Sequence, residues 1–303
     1  MSRDSFFRII PETFPPIFSG MFDDLTLFYA PGYLVAAREK EAAEIRNIII
    51  GEFPFGNLPA GELINAAISA QSGWSIQHDP YCYHPTCLTI YSAAACNLNC
   101  IYCFAEKVHA QKMQLSGDLI FSAAEKVLRN CKELQVPFTV VFHGGGEPMQ
   151  DFNLPDLLLD LNRMADGAQV IFHSYIATNG VMDADRANWM AANFDEIGLS
   201  VDGPPEIQNL QRPGKTGVET AAAVERTAGI LKKIKGSLSV RATVLPDNFK
   251  RIPEIVSYLK NNLDADGIHI EPVYHAGTRA ESAEDFCEGF LAAKQFFPTL
   301  TFS

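Results

Sequence analysis

From about Cys82 onward, short apolar runs alternate strictly with amphipathic stretches, and this alternation limits the possible folds more than any other feature. Residues 88–91, 138–142, 170–177, 197–201, 239–244 and 268–273 read as strands, rich in β-branched and aromatic side chains. Residues 118–134, 154–164, 183–194, 218–235, 252–263 and 283–297 read as helices. In the first of these, Ile120, Ala124, Val127, Leu128, Cys131 and Leu134 fall on one face. Phe138-Thr139-Val140-Val141-Phe142 is an unbroken apolar-rich run suited to a buried parallel strand. Strand–crossover–strand units are right-handed and build parallel sheets that curl into barrels. A full eight-fold barrel takes about 250 residues, so the length after Cys82 supports about six units. The predicted fold is α/β: a partial (β/α)6 TIM-like barrel over residues 81–303, preceded by a small N-terminal α+β extension over residues 1–80.

The extension breaks the alternation. Residues 25–30 and 33–37 are strand-like and meet at the turn pair Pro31-Gly32. Helices are expected over about residues 40–50 and 60–70, the second with Leu63, Ala66, Ala67 and Ala70 at helical spacing. The acidic balance, a net charge of −12 over 303 residues, argues against a nucleic-acid partner. No stretch is long and apolar enough to span a bilayer, and Met1-Ser2-Arg3-Asp4 opens no secretory signal. Seven cysteines, odd in number and not spaced as a disulfide scaffold, suit a reducing cytoplasm.

Three of these cysteines lie in Cys96-Asn97-Leu98-Asn99-Cys100-Ile101-Tyr102-Cys103-Phe104, a C-x3-C-x2-C spacing. Thiolates bind iron–sulfur clusters, and a four-iron cubane ordinarily takes four of them. Three ligands in one loop leave one iron open to a small molecule. A zinc site would need a fourth ligand, for which His109 is the nearest downstream candidate. Buried thiols packed as small hydrophobes are a further alternative. The arrangement closely resembles the signature of the radical SAM enzymes. The resemblance implies that Cys96, Cys100 and Cys103 hold a [4Fe-4S] cluster. It also implies that the open iron chelates the amine and carboxylate of S-adenosylmethionine, with Tyr102 near the adenine. Partial six-unit barrels are common in that family, and barrel chemistry sits at the C-terminal ends of the strands.

Further motifs each follow a predicted strand. His143-Gly144-Gly145-Gly146-Glu147-Pro148 resembles the family's GGE motif, which implies that Gly145, Gly146 and Glu147 hold the methionine amine. A tight strand-to-helix turn is the plainer role of such glycines. Thr178-Asn179-Gly180 and Ser200-Val201-Asp202-Gly203-Pro204, continuing to Glu206 and Arg212-Pro213, resemble the branch that contains anaerobic sulfatase-maturating enzymes and peptide maturases. There the resemblance implies that Ser200 and Thr178 contact the ribose and carboxylate of the cofactor. Asp202 equally suits a turn before Gly203. Arg241 stands inside an apolar strand and needs a partner, because an unpaired buried charge is costly. By similarity that partner is the cofactor's carboxylate, held by the planar guanidinium. An ion pair with Glu147 or Glu271 is the alternative.

Glu271 is the candidate catalytic residue, open to orienting substrate, taking a proton or pairing with Arg241. His143, His173 and His275 are candidates to line the rim. Cys131 and Cys287 read as packing residues, and Cys82 and Cys87, before the first barrel strand, are open to an extra-cluster role.

The resemblance implies an enzyme that reductively cleaves S-adenosylmethionine to a 5′-deoxyadenosyl radical and takes hydrogen from a peptide or protein. The electron would come from a donor such as a flavodoxin or ferredoxin, with no nucleic-acid or membrane partner. Formylglycine formation of the sulfatase-maturase type is the alternative within this chemistry. A non-enzymatic metal-binding or electron-transfer module is the alternative outside it. The N-terminal region resembles, in size and element order, the small domains that grip a leader peptide. Relatives usually continue into a cysteine-rich SPASM domain. No cysteine follows Cys287, so the expectation is a fragment or a variant without that domain.

Overall fold

The structure, a computed structural model, describes residues 8–9, 17–22, 25–30, 33–49, 61–65, 84–105, 116–273 and 280–302. It divides into two compact units, Met1–Tyr83 and His84–Ser303. Pro31, Gly32, Cys82, His109 and His275 lie outside the described residues, as does most of the helix expected over 60–70, of which 61–65 is helical.

In the first unit, the expected hairpin is part of a four-stranded antiparallel sheet. Strands β1 (Arg8–Ile9), β2 (Phe18–Phe22), β3 (Leu25–Ala30) and β4 (Tyr33–Arg38) pair in sequence order. The two extra strands have weak signals: β1 is two residues long, and β2 is interrupted by Gly20. β3 alternates as a half-buried strand should, with Thr26, Phe28 and Ala30 turned inward. The helix Glu39–Ile49 buries Ala42, Ile45 and Ile49, which join Ile17, Phe28, Ala37 and Leu63 in one core.

The second unit is a parallel sheet in the order β11-β10-β9-β8-β7-β6-β5. Its strands are β5 (Cys87–Ile90), β6 (Phe138–Phe142), β7 (Phe172–Thr178), β8 (Glu196–Ser200), β9 (Ser239–Val244), β10 (Gly267–Pro272) and β11 (Thr301–Phe302). Each strand pairs with its neighbour in sequence, as a singly wound barrel arc requires. Among the described residues β5 does not pair with β11, so the arc is open. The expected six strands are all present. The seventh, β11, was beyond sequence periodicity because only two residues pair, Thr301 with His269 and Phe302 with Ile270.

Alternate residues of each strand face opposite sides. Phe138, Val140, Phe142, Ile176, Leu199, Val240, Ala242, Ile268 and Ile270 are buried beneath the helices. The intervening Thr139, Val141, Tyr175, Arg241, Thr243 and Glu271 are only partly covered. Residues 138–142 are therefore not buried on both faces, because the concave side opens on a cavity. The helix Gly117–Leu134 buries five of its six expected positions; Leu134, in the last position before the left-handed cap Gln135, is exposed. Ser116 caps its first turn by accepting from the Leu119 amide. The helix expected from Val218 starts at Ala221. A further helix, Pro205–Gln211, occupies part of the preceding stretch.

Candidate active site

The cysteine loop follows β5 and is held by a segment far away in sequence. Leu98 bridges Gly214 in antiparallel fashion, Asn99 N donates to Pro213 O at 2.8 Å, and Ile101 N donates to Gln211 O at 3.0 Å. Behind this seam lies a buried polar knot. The Tyr102 hydroxyl donates to Asp202 Oδ2 at 2.7 Å and accepts from Arg212 Nη1 at 2.7 Å. Asp202 also accepts from Gln211 Nε2 and the Thr243 amide, and faces Arg212 Nη1 at 3.5 Å. Asp202 is thus a hub joining β8, β9 and the cysteine loop, not merely a turn former. Burial opposes the charge on Arg212, yet Tyr102 and Asp202 hold it firmly protonated. Burial and Asp202 likewise raise the Tyr102 phenol well above its ordinary range.

The glycine loop after β6 packs against the entry to the cysteine loop. Gly144 and Gly145 adopt φ of +49° and +76°, closed to most side chains. Glu147 N donates to Ala95 O at 2.9 Å, and a Cβ on Gly146 would stand 2.2 Å from that same oxygen. Gly146 is therefore needed first for backbone against backbone. Glu147 is buried, and its carboxylate accepts from Thr178 Oγ1 (2.7 Å), Asn179 N (2.7 Å) and Met149 N (3.1 Å). A carboxylate has about four acceptor positions, so these bonds leave little room for another donor. Burial raises its pKa against the pull of these donors. Thr178 spends its hydroxyl on Glu147 and braces the loop from β7.

Further round the arc, Arg241 Nε and Nη2 grip Glu271 in a bidentate pair at 2.8 and 2.9 Å. The ion-pair alternative is thus realised with Glu271 and not with Glu147. Tyr175 lies across Gly198, where an added Cβ would stand 2.0 Å from the hydroxyl. Glycine in mid-strand here makes room for a ring. Burial and Arg241 push the His143 imidazole below its ordinary range, with Glu271 opposing. His173 sits near the opposite end of β7, beside Glu196 Oε1 at 3.3 Å. Cys131 is buried in the core, Cys287 is half-buried on its helix, and Cys87 is exposed at the start of β5.

One cavity of about 290 Å³ is lined by Cys96, Cys100, Cys103, Tyr102, the glycine loop with Glu147, Thr178, Ser200, Arg212, Arg241 and Glu271. The three cysteines, every residue expected to contact the cofactor, Glu271 and His143 line it; His173 does not. Sequence reasoning left Asn97, Tyr175, Gly198 and Gln211 unremarked and gave Arg212 no role. The Gln211-Arg212-Pro213 stretch after a strand-end Asp-Gly was the available signal for two of them.

The domain model described as the radical SAM superfamily matches residues 90–259, more than half of the chain. The chain belongs to the radical SAM superfamily. Its curated relatives include the cysteine-type anaerobic sulfatase-maturating enzyme of Clostridium perfringens, 28% identical over 174 residues, covering 56% of this chain and 46% of that protein. The serine-type enzyme of Bacteroides thetaiotaomicron is 26% identical over 211 residues, covering 66% of this chain and 50% of that one. The chain spans about half the length of these relatives. The fold is shared with native anSMEcpe with bound AdoMet and Cp18Cys peptide (TM-score 0.58, 22% identity, 71% of this chain and 62% of that one). It is also shared with Streptococcus suis SuiB bound to precursor peptide SuiA (TM-score 0.55, 14% identity, 100% and 72%).

The radical SAM cofactors are a [4Fe-4S] cluster and S-adenosylmethionine, and the cavity's chemistry fits them. Three soft sulfur donors line it. Among the described residues, no three His, Cys, Asp or Glu side chains are close enough to hold a single metal ion. The expected convergence of the three sulfurs is thus a shared cavity and not a one-ion site. Arg212 Nε, buried without a partner beside the cavity, adds an unspent donor.

Proposed function

We propose that the chain is the radical SAM core of a peptide- or protein-modifying enzyme. The observation that carries this is the meeting of the cysteine loop, the glycine loop, Ser200 and Arg241 in one cavity, although they span β5 to β9. When bound, the cluster, reduced by its electron donor, would supply one electron to the sulfonium of S-adenosylmethionine; breaking its S–C5′ bond would release methionine and a 5′-deoxyadenosyl radical able to take a hydrogen atom from an unactivated carbon of the substrate. Cys96, Cys100 and Cys103 would hold the cluster. The backbone of Gly145 and Gly146, with any acceptor position left on Glu147, would take the amine. Ser200 and Arg241 would take the ribose and carboxylate, and Tyr102 would stand by the adenine. Glu271, released from Arg241 by that carboxylate, would face the substrate side.

A peptide substrate is supported by the peptides bound in two fold neighbours. The two sulfatase-maturating relatives favour oxidation of a cysteine or serine to formylglycine as the specific reaction. The N-terminal sheet is a candidate for leader-peptide binding. A flavodoxin or ferredoxin in the cytoplasm would deliver the electron; no helix of the described residues is long and apolar enough to cross a membrane.

Chain reconstituted anaerobically and reduced with dithionite is expected to release 5′-deoxyadenosine and methionine, detected by chromatography. Cys100→Ala should give none, because two thiolates cannot hold the cubane in its reactive form. A fully loaded wild-type cluster that releases no more than this variant would refute the assignment.

A further inference from the structure

Asn179 follows β7 and is buried, yet the glycine-loop chemistry just described uses only its backbone N–H. Its side chain is fixed in orientation. Oδ1 accepts from the Val181 amide at 2.8 Å, an Asx turn, so Nδ2 must point the other way. There it donates to Asn97 Oδ1 at 2.9 Å and reaches Cys96 Sγ at 3.8 Å. The Leu98 amide approaches the same sulfur at 3.5 Å. Among the described residues no hydrogen bond reaches the sulfur of Cys100 or Cys103. Among the described residues Cys96 is therefore singled out, with two N–H donors where the other two thiols have none.

The backbone on either side ties this contact to the cofactor loop. Asn179 N donates to Glu147 Oε2, and Asn97 Nδ2 returns to Val181 O at 2.6 Å. Asn179 thus forms a single-residue link between the acid of the glycine loop and a cysteine of the metal loop. N–H···S bonds draw charge from a ligand sulfur and favour the more electron-rich, reduced form of a cluster.

We propose that Asn179 is a positioning and tuning residue for Cys96, raising the reduction potential of the cluster through its N–H···S contact. The inference rests on the cluster reading above. It adds that the three ligands are electronically unequal, and that the inequality is set from the strand carrying Thr178.

The test is a potentiometric titration of the anaerobically reconstituted full chain without S-adenosylmethionine, followed by electron paramagnetic resonance. Asn179→Ser keeps a hydroxyl able to accept from Val181 N but is too short to reach the sulfur. Its reduced-to-oxidised ratio at a fixed potential should fall by about tenfold, which for a one-electron couple is a drop of about 59 mV. Asn97→Ala removes the acceptor that competes for Nδ2 and frees the amide for the sulfur, so its potential should rise above wild type. A merely structural Asn179 would lower cluster loading in both variants and leave the potential of the loaded fraction unmoved, and that result overturns the proposal. If Asn179→Ser fails to load, Asn97→Ala decides: a potential above wild type supports the proposal, and one level with or below wild type refutes it. A wild-type chain that assembles no cubane would instead refute the cluster reading.

Discussion

Two arginine–carboxylate pairs line the same cavity in very different surroundings. Arg212 and Asp202 meet in the interior, with side chains 10% and 0% exposed. Arg241 and Glu271 meet on the open concave face, at 41% and 38%. The buried pair is held by Tyr102, Gln211 and the Thr243 amide, with only Arg212 Nε unpartnered. No ligand can displace any of these without leaving a charge uncompensated in a low-dielectric setting. The open pair has good bidentate geometry but competes with water at both ends, so it can exchange its partner at little cost. The comparison separates scaffold from exchangeable contact within one site: the first pair holds the cysteine loop in shape, and the second is available to a ligand's carboxylate.

The largest expected effect tests the buried pair. Asp202→Ala leaves Arg212 buried without its counter-charge and should cost about 3–5 kcal/mol, read from denaturant unfolding of the metal-free chain. Arg212→Met leaves Asp202 without its counter-charge but should cost less than Asp202→Ala, because Asp202 keeps the donors of Tyr102, Gln211 and the Thr243 amide and methionine fills much of the same volume. Equal, small losses in both would mean that the knot is solvated and that the contrast with Arg241 and Glu271 is false.

The contrast also marks what a sequence can reveal. The strand–helix order and the outward-buried residues follow from periodicity, because Val140, Ala242 and Ile270 repeat at the spacing that their packing demands. The cysteine and glycine loops are legible because metal ligation and close backbone approach each restrict residue type. The Asp202 knot was half visible: Asp-Gly after a strand suits a turn as well as a hub, and only the fold brings Tyr102, 100 residues earlier in the chain, to its carboxylate. Tyr175 and Gly198 were silent for the same reason, since each is ordinary in a strand until the neighbouring strand is laid beside it. The strand at Thr301–Phe302 is too short for any period to declare it.

A smaller effect sharpens the buried side. Burial, opposed by Arg212, pushes the Cys100 thiol up to about 11. Because the thiolate is the reactive form, alkylation of Cys100 in the metal-free chain at pH 8 should be on the order of a hundredfold slower than that of a free thiol. Its rate should climb about tenfold per pH unit until near pH 11. The folded state keeps this proton longer than the unfolded chain does. The associated stability is therefore complete below the ordinary thiol range and is lost as pH rises toward 11. Site-resolved mass spectrometry of alkylated peptides gives the curve. Half-maximal labelling near pH 8.5 would show that Cys100 is not shielded as the structure has it.

The smallest expected effect on stability belongs to the open pair, and it decides what that pair is for. Arg241→Gln should change unfolding free energy by less than about 1 kcal/mol, since both partners are well exposed. Its effect should appear in binding instead. If Arg241 receives the carboxylate of S-adenosylmethionine, loss of a charge-assisted contact worth about 1.5–3 kcal/mol weakens affinity by roughly 10- to 100-fold. Glu271→Gln should act in the opposite sense, because it weakens the internal competitor for the same guanidinium and leaves it freer for the ligand. Calorimetric titration of the cluster-loaded chain with the cofactor measures both. Opposite shifts would establish exchange between Glu271 and the ligand. If both variants bind equally less well, Arg241 and Glu271 act as a fixed unit like Arg212 and Asp202, and the division between scaffold and exchangeable contact fails on this face.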